Sequence, residues 1–556
     1  MSLRPVPVPP VPEATARVAR AVFRKGCLAM RVRDELGPLF CDEQFASAFP
    51  RRGGPALSPG QLAMVSVLQF TEGLTDRQAA DAVRARIDFK YCLGLELDDP
   101  GFDFSVLSEF RDRLIAHGLE EQVLDTLLQR LSELGLLRAG GRQRTDATHV
   151  LAAVRVVNRM EFVGETMRAA LEALAATVPG WLAHIARQHP AWEKRYGARC
   201  DSYRMPKGDN AREEWARTVR EDGFCLLEAV HAPGTPWWLR KIPAVQVLRS
   251  AWIQQYHRDV EGVRWREGKD LPPGRIRMLS PYDVQARYSV KRGTGWVGYK
   301  VHLSEVCDPG TPHVITNVAT TDATVQDTEM TDQVHQALQK RELLPAEHLV
   351  DCGYTSASLL VQARDDYQVN LLGPLRTDTS PQKRHTPEVA QEAFTIDWKN
   401  HRVTCPQGHT NAVWSAQRHN IRGVPIVQVF FRREDCDVCP LREPCTRTTN
   451  PRYGRGLQIL AQPLQEAQDA RRREEQTDEF KARYALRAGV EGTISQAVRR
   501  SGIRTTPYTG LAKTHLGHIF TTTALNLVRL DAWWTGTPLG TTRTSHFAKL
   551  SLSLAA

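Results

Sequence analysis

Three acids in this chain fall where they could act together: Asp146, Asp351 and Glu491. Asp146 lies in "GRQRTDATHV" (141 to 150), which follows a Gly pair and reads as a short strand ending near Asp146. Asp351 closes the apolar run "HLVD". Glu491 is the one acid between Lys481 and Leu530, a stretch that holds eight Lys or Arg. Carboxylate oxygens suit Mg²⁺, and two such ions held roughly 3.5 to 4 Å apart can clamp the attacking and leaving oxygens of a phosphodiester displacement. Such chemistry activates a water or a 3′-hydroxyl and needs no covalent protein intermediate. On one helix Tyr484, Arg487 and Glu491 share a face, so the acid can reach a metal while Arg487 and Arg499, Arg500 and Arg504 hold backbone phosphates. A lone Glu among basic residues is also what a salt-bridged surface helix shows. The strand-placed aspartates favour the metal reading.

The surrounding pattern must bring these acids together. Residues 58 to 138 read as helices: Ser58 caps the first, Thr75 the second, Ser105 opens a third, and "EEQVLDTLLQRLSELGLL" gives a fourth. The first two, joined by "TEGLTD", fit a helix-turn-helix or an ordinary bundle. Residues 151 to 280 return to helix-like text. From 296 the period becomes two, with Val297, Tyr299, Val301 and Leu303 alternating with Gly298, Lys300, His302 and Ser304. "DPGTP" turns the chain and "HVITNVATT" pairs back. A helix, the strand "HLVD", a second helix and the strand "QVNLLG" follow, then an insertion, then the helix of Glu491. Strand, insertion, hairpin, helix, strand, helix, strand is the order of a ribonuclease H-like α/β fold. Its first and fourth strands are neighbours, which predicts that Asp146 and Asp351 converge.

Other acids and basic groups compete for roles. Asp283 after Pro-Tyr reads as turn chemistry, Asp322 follows the third strand, and Asp327 reads as a helix cap. "RYSVKRGTGWVGYK" interleaves Arg287, Lys291, Arg292 and Lys300 with aromatics, a pattern suited to a nucleic-acid strand. Trp296 and Tyr299 within it are assigned to the core. Helix 511 onward turns Leu516, Ile519, Phe520, Ala524, Leu527 and Val528 inward, and His515 and His518 are expected at its surface or as capping groups.

Four of the eleven cysteines, Cys405, Cys436, Cys439 and Cys445, cluster within 41 residues around "CPQGH" and "CDVCPLREPC". They resemble a zinc ribbon holding structural Zn²⁺, with His409 a substitute ligand, or they are reduced thiols that pack. The other seven are read as ordinary thiols.

Composition sets the frame. The 556 residues exceed one ordinary core. An excess of ten positive charges favours a polyanionic partner. No apolar run is long enough for a membrane helix, and the prolines of "MSLRPVPVPPVPEATARVAR" exclude a signal-peptide core, so a cytoplasmic protein is expected.

The segments "RTDATHVLAAVR", "YDVQARYSVKRGTGWVGYKVHL", "HLVDCGY", "YALRAGVEGTISQ" and "GLAKTHLGHIFTTTALNLVRL" together resemble bacterial insertion-sequence transposases of the DDE class, from about residue 58 to 531. The resemblance maps the family's acid triad onto Asp146, Asp351 and Glu491, and its Tyr-x2-Arg-x3-Glu signature onto Tyr484, Arg487 and Glu491. The basic residue seven positions after the Glu is Val498 here, with Arg499 and Arg500 beside it. The resemblance implies an N-terminal helical DNA-binding domain (1–138), a ribonuclease H-like core (139–380) with a helical insertion (151–280), a Cys-rich insertion (381–455), the remainder of the core (456–535) and a tail (536–556). It implies DNA transposition with two Mg²⁺ ions, for which Mn²⁺ can substitute. The expected partners are terminal inverted repeats, target DNA and a second copy of the chain. A catalytically inactive DNA-binding derivative is the alternative.

Overall fold

The structure is a computed structural model, and it describes residues 2–537 apart from 156, 202, 204, 261, 292 and 422, together with residues 547 and 550. The expected Arg292 contact therefore lies outside the described residues, as does most of the tail. A curled mixed sheet organises the molecule. Its strands are β1 (Arg142–Leu151), β2 (Arg287–Lys291), β3 (Thr294–Val306), β4 (Ile315–Asp322), β5 (Glu347–Leu349) and β6 (Asn370–Leu372). The long β3 pairs antiparallel with β1, β2 and β4, and β1, β5 and β6 run parallel. Between β3 and β4 the turn uses Gly310 at φ 70°, a conformation that glycine adopts without steric cost. β2 is an addition to the hairpin read from the sequence.

The alternation along β3 holds, but both of its faces are buried. Tyr299, Val301 and Leu303 enter the main apolar core with Val150 of β1. His302 and Ser304, on the opposite face, are each 0% exposed. Helices Asp327–Lys340 and Ala357–Tyr367 belong to this second side. Its polar groups are satisfied there: His302 Nδ1 lies 2.6 Å from the Tyr354 hydroxyl, Thr145 Oγ1 is 2.6 Å from Ser304 Oγ and 2.7 Å from His348 Nε2, and His348 Nδ1 is 2.9 Å from His335 Nε2. Buried polar groups persist only when paired in this way.

The N-terminal helices start where their caps predict. Ser58 Oγ accepts from the Gln61 amide, and Thr75 and Gln78 form a reciprocal capping box. A small cluster around Ala19, Met30 and Tyr91 is their own, but most of their apolar residues join the main core. Helix Pro59–Glu72 is buried along most of its length, and Val65, Leu68, Phe110 and Leu127 belong to the same cluster as Leu303, Ile494, Ile519 and Leu527. Phe70 meets Phe520 of the C-terminal helix Leu511–Trp534 with ring centroids 5.4 Å apart. The insertion after β1 does have its own core, around Phe162, Leu226, Leu248 and Trp252. So does the Cys-rich region, whose strands β7 (Asn411–Arg418), β8 (Pro425–Arg432) and β9 (Tyr453–Leu460) pack Val427, Val429, Phe431 and Ile459 together.

Two expectations for the C-terminal helix change. His518 is buried and its Nδ1 lies 2.7 Å from Thr320 Oγ1 of β4, while half-buried His515 pairs with Glu121 at 2.6 Å. Neither is a surface or capping group, because β4 and the N-terminal helices cover that side. Val528 is only half-buried. Among the described residues, no helix is long and apolar enough to cross a membrane.

Candidate active site

The parallel ladder of β1 and β5 fixes where two of the acids meet. Arg142 pairs with Glu347 and Arg144 with Leu349, an offset of 205 (347 − 142). The separation of Asp146 and Asp351 is the same (351 − 146), so Asp351 continues the register two residues beyond the end of β5. Its charge is near enough to push the Asp146 pKa upward. Asp351 Oδ1 accepts the Gly353 amide at 2.8 Å, which holds the carboxylate at the strand end.

Side chains on one face of β1 recur every second residue, and three of them engage the C-terminal segment. Arg144 Nη1 donates to Leu486 O at 2.6 Å, Asp146 Oδ2 accepts from Arg487 Nη2 at 2.9 Å, and Thr148 Oγ1 accepts from Arg504 Nε at 2.8 Å. Arg487 also donates through Nη1 to Glu491 Oε1 at 3.2 Å. A guanidinium thus bridges two of the three acids. Its side chain is 14% exposed, while that of Glu491 is 67% exposed.

The signature residues were expected on one helix. They lie instead on helix Asp478–Ala485, the 3₁₀ turn Leu486–Ala488 and helix Gly489–Ser501. The Arg144 guanidinium gives the reason: it takes the Leu486 carbonyl, and it fills the space that a Cβ at position 489 would occupy. Glycine is the residue that fits there. Tyr484 is half-buried, stacks on Phe480 with centroids 5.7 Å apart, and packs against the Cys307, Leu349 and Leu372 cluster.

Burial lifts the Asp146 pKa above the usual carboxylate range. Arg487, the Ala147 amide and Lys291 oppose that rise, and Asp351 adds to it. The phenol of Tyr354 is raised well above its ordinary value by burial, then by Asp327, Asp146 and Asp351. Asp327 therefore stands near the two strand aspartates. It is the first helical residue, whereas Gln326 occupies the cap position, because Lys300 Nζ holds Asp327 Oδ1 at 3.2 Å. Asp283 is fully engaged as a turn anchor, accepting from Tyr299 Oη and from the amides of Gln285, Ala286 and Gly510. Asp322 Oδ1 accepts from the amide and hydroxyl of Thr324.

The basic candidates divide into two groups. Lys291, Arg499, Arg500 and Arg504 are exposed, although Arg499 Nε and Arg504 Nε donate to Ser495 O and Thr148 Oγ1, and Lys291 is near enough to influence Asp146. Arg287 donates to the Arg275 and Ala286 carbonyls and Lys300 to the Val325 carbonyl, and both are half-buried, so both are committed within the chain. Sequence reasoning missed Arg144, Glu305 and Arg529. Glu305 carried a signal, since it continues the apolar phase of Tyr299, Val301 and Leu303.

Cys405, Cys436, Cys439 and Cys445 line one small cavity with His409, Asp435 and Arg455. Burial raises the Cys445 thiol pKa; Arg455 opposes that, and the other three cysteines add to it. Among the described residues, no three His, Cys, Asp or Glu side chains stand close enough to share a metal ion as placed.

Residues 404–531 match a family model described as Transposase DDE domain, and residues 23–113 match one described as Transposase domain (DUF772). Glu491 lies inside the first match, and Asp146 and Asp351 lie outside both. No curated protein and no solved structure matches the chain.

Proposed function

We propose that this chain, two segments of which match transposase domains, is a DDE-type insertion-sequence transposase that binds the ends of its own mobile element and catalyses phosphodiester hydrolysis and strand transfer there. The observation that carries the proposal is the shared register of Asp146 and Asp351 on β1 and β5, joined through Arg487 to Glu491. The strand order, with antiparallel β4-β3-β1 followed by parallel β5 and β6, supports a ribonuclease H-like core.

The donor chemistry fits a divalent metal. Asp146, Asp351 and Glu491 offer hard oxygen ligands, and the site already holds a cation, the Arg487 guanidinium between Asp146 and Glu491. Asp146 and Asp351 would hold Mg²⁺ or Mn²⁺, with Glu491 joining when Arg487 leaves. When bound, the ions acidify the attacking hydroxyl and stabilise the departing oxyanion. The protein's own groups do the rest. β1 and β5 fix the spacing of the two aspartates, and the exposed Lys291, Arg499, Arg500 and Arg504 meet the DNA backbone. Arg487 moves from the carboxylates to a phosphate as DNA enters. Two element ends call for two copies of the chain. The four thiols around one cavity suit structural Zn²⁺, which metal analysis of the purified protein tests, with Cys439→Ser lowering the zinc content.

The main test is Mg²⁺-dependent nicking of duplexes carrying the DNA that flanks the gene. Asp351→Asn is expected to lower nicking on the order of 10³-fold while leaving DNA binding intact. A parent chain that binds those ends and never nicks them would point instead to a non-catalytic DNA-binding protein.

A further inference from the structure

Resting on the reading of Asp146, Asp351 and Glu491 as one acid site, we infer that Glu305 is the positioning residue that sets where Glu491 stands. Glu305 is 0% exposed on β3. Its Oε1 accepts from Arg144 Nε at 2.7 Å; its Oε2 accepts from Thr493 Oγ1 at 2.5 Å and from Arg529 Nη1 at 2.7 Å. Each partner belongs to a different element: β1, the Glu491 helix and the C-terminal helix. Arg529 adds bonds to Thr493 Oγ1 at 2.7 Å and to Gln496 Oε1 at 3.0 Å, and Arg144 holds Leu486 O. The segment carrying Glu491 is therefore fastened at 486, 493 and 496, on both sides of the acid, to a carboxylate whose strand neighbour Arg144 stands two residues from Asp146.

Stability alone does not account for a charge at this point. Dehydrating a carboxylate costs several kcal/mol, and buried ion pairs are often replaceable by apolar side chains without loss. What an apolar contact lacks is direction. Three donors converging on one carboxylate fix the helix in height and rotation against β1, where Leu or Met would let it slide. Arg529 and Arg144 outweigh burial and keep the Glu305 pKa below its ordinary value, so the clamp stays ionised at neutral pH. The arrangement parallels second-shell groups that orient metal ligands without touching the metal.

The test uses the full-length chain and two variants. Thr493→Val removes one hydroxyl at constant shape. Glu305→Gln/Arg529→Gln removes one charge of each sign, so that stability and position are separated. Thermal unfolding reads the fold; with duplex carrying the DNA that flanks the gene bound, so that Arg487 is drawn to a phosphate, Mn²⁺ titration reads affinity, and Fe²⁺ with ascorbate and peroxide cuts the backbone wherever bound iron lies close. The parent is expected to be cut near Asp146, Asp351 and Glu491. Both variants should unfold cooperatively, bind Mn²⁺ roughly tenfold more weakly, and keep the cuts near Asp146 and Asp351 while losing those near Glu491. Folded Thr493→Val protein with parental cuts at all three places would overturn the inference and leave Glu305 a packing group. A parent chain uncut near Asp146 and Asp351 would instead defeat the acid-site reading on which the inference rests.

Discussion

Arg487 occupies the ground that the proposed metal would need. It is bonded to Asp146 and Glu491 together, so on the proposed reading a divalent ion and the guanidinium would exclude each other at those oxygens. Removing it should favour the ion. In DNA-free protein, Arg487→Gln is expected to bind Mn²⁺ roughly tenfold more tightly, a difference of about 1.4 kcal/mol, while nicking of element ends falls because a phosphate contact is lost. Titration by electron paramagnetic resonance decides this, and unchanged Mn²⁺ affinity would count against competition. Asp146 gives a second prediction. Its folded pKa is raised above its ordinary value of 3.8, chiefly by burial, so the stability it contributes is present below that value and is lost as pH rises through the folded pKa. Metal-free Asp146→Asn protein should therefore unfold at a higher temperature than the parent at pH 7. That advantage should vanish at pH values below 3.8.

At the scale of the element, Gly489 is the tightest point. A side chain there meets the Arg144 guanidinium, which is itself held by Glu305 and Leu486 O. Gly489→Ala should destabilise the protein by about 1–3 kcal/mol through overpacking, measurable by denaturant unfolding, and it should lower nicking by shifting Glu491. The two aspartates were legible in the sequence because one sits on a strand and the other just beyond one, and a parallel ladder then fixes their register; the first strand runs on past Asp146 to Leu151, further than its text suggests. Glu491 was legible as a lone acid in a basic stretch. The carboxylate beneath it was marked only by its place in the apolar phase of a strand, and its role stayed hidden because its partners Arg144 and Arg529 lie 161 and 224 residues away. Lys300 and Arg287 looked like DNA contacts for the same reason, since the carbonyls that hold them belong to other segments. The buried polar face of β3 was hidden because period-two alternation cannot tell solvent from a second layer of helices.

Across the whole molecule, several histidines are buried uncharged. Burial drives the pKa of His302 down to about 3, of His335 to about 4 and of His518 to about 3. A folded-state value below the unfolded one means that their contribution is fully present above about pH 6.5. It drains away as pH falls from there toward 3 to 4, at up to about 1.4 kcal/mol per pH unit for each group. Unfolding midpoints recorded between pH 7 and 4 should fall steeply, and His518→Gln should flatten that slope. The shared core has a further consequence for how the chain comes into being. Phe70 and its contact Phe520 are 450 residues apart (520 − 70), so at roughly 5–20 residues per second the early helix waits on the order of 20 to 90 s on the ribosome for its mate. During that wait its greasy flanks lack their cover, and a nonsense codon between Glu72 and Leu511 should yield inclusion bodies, not a soluble remnant.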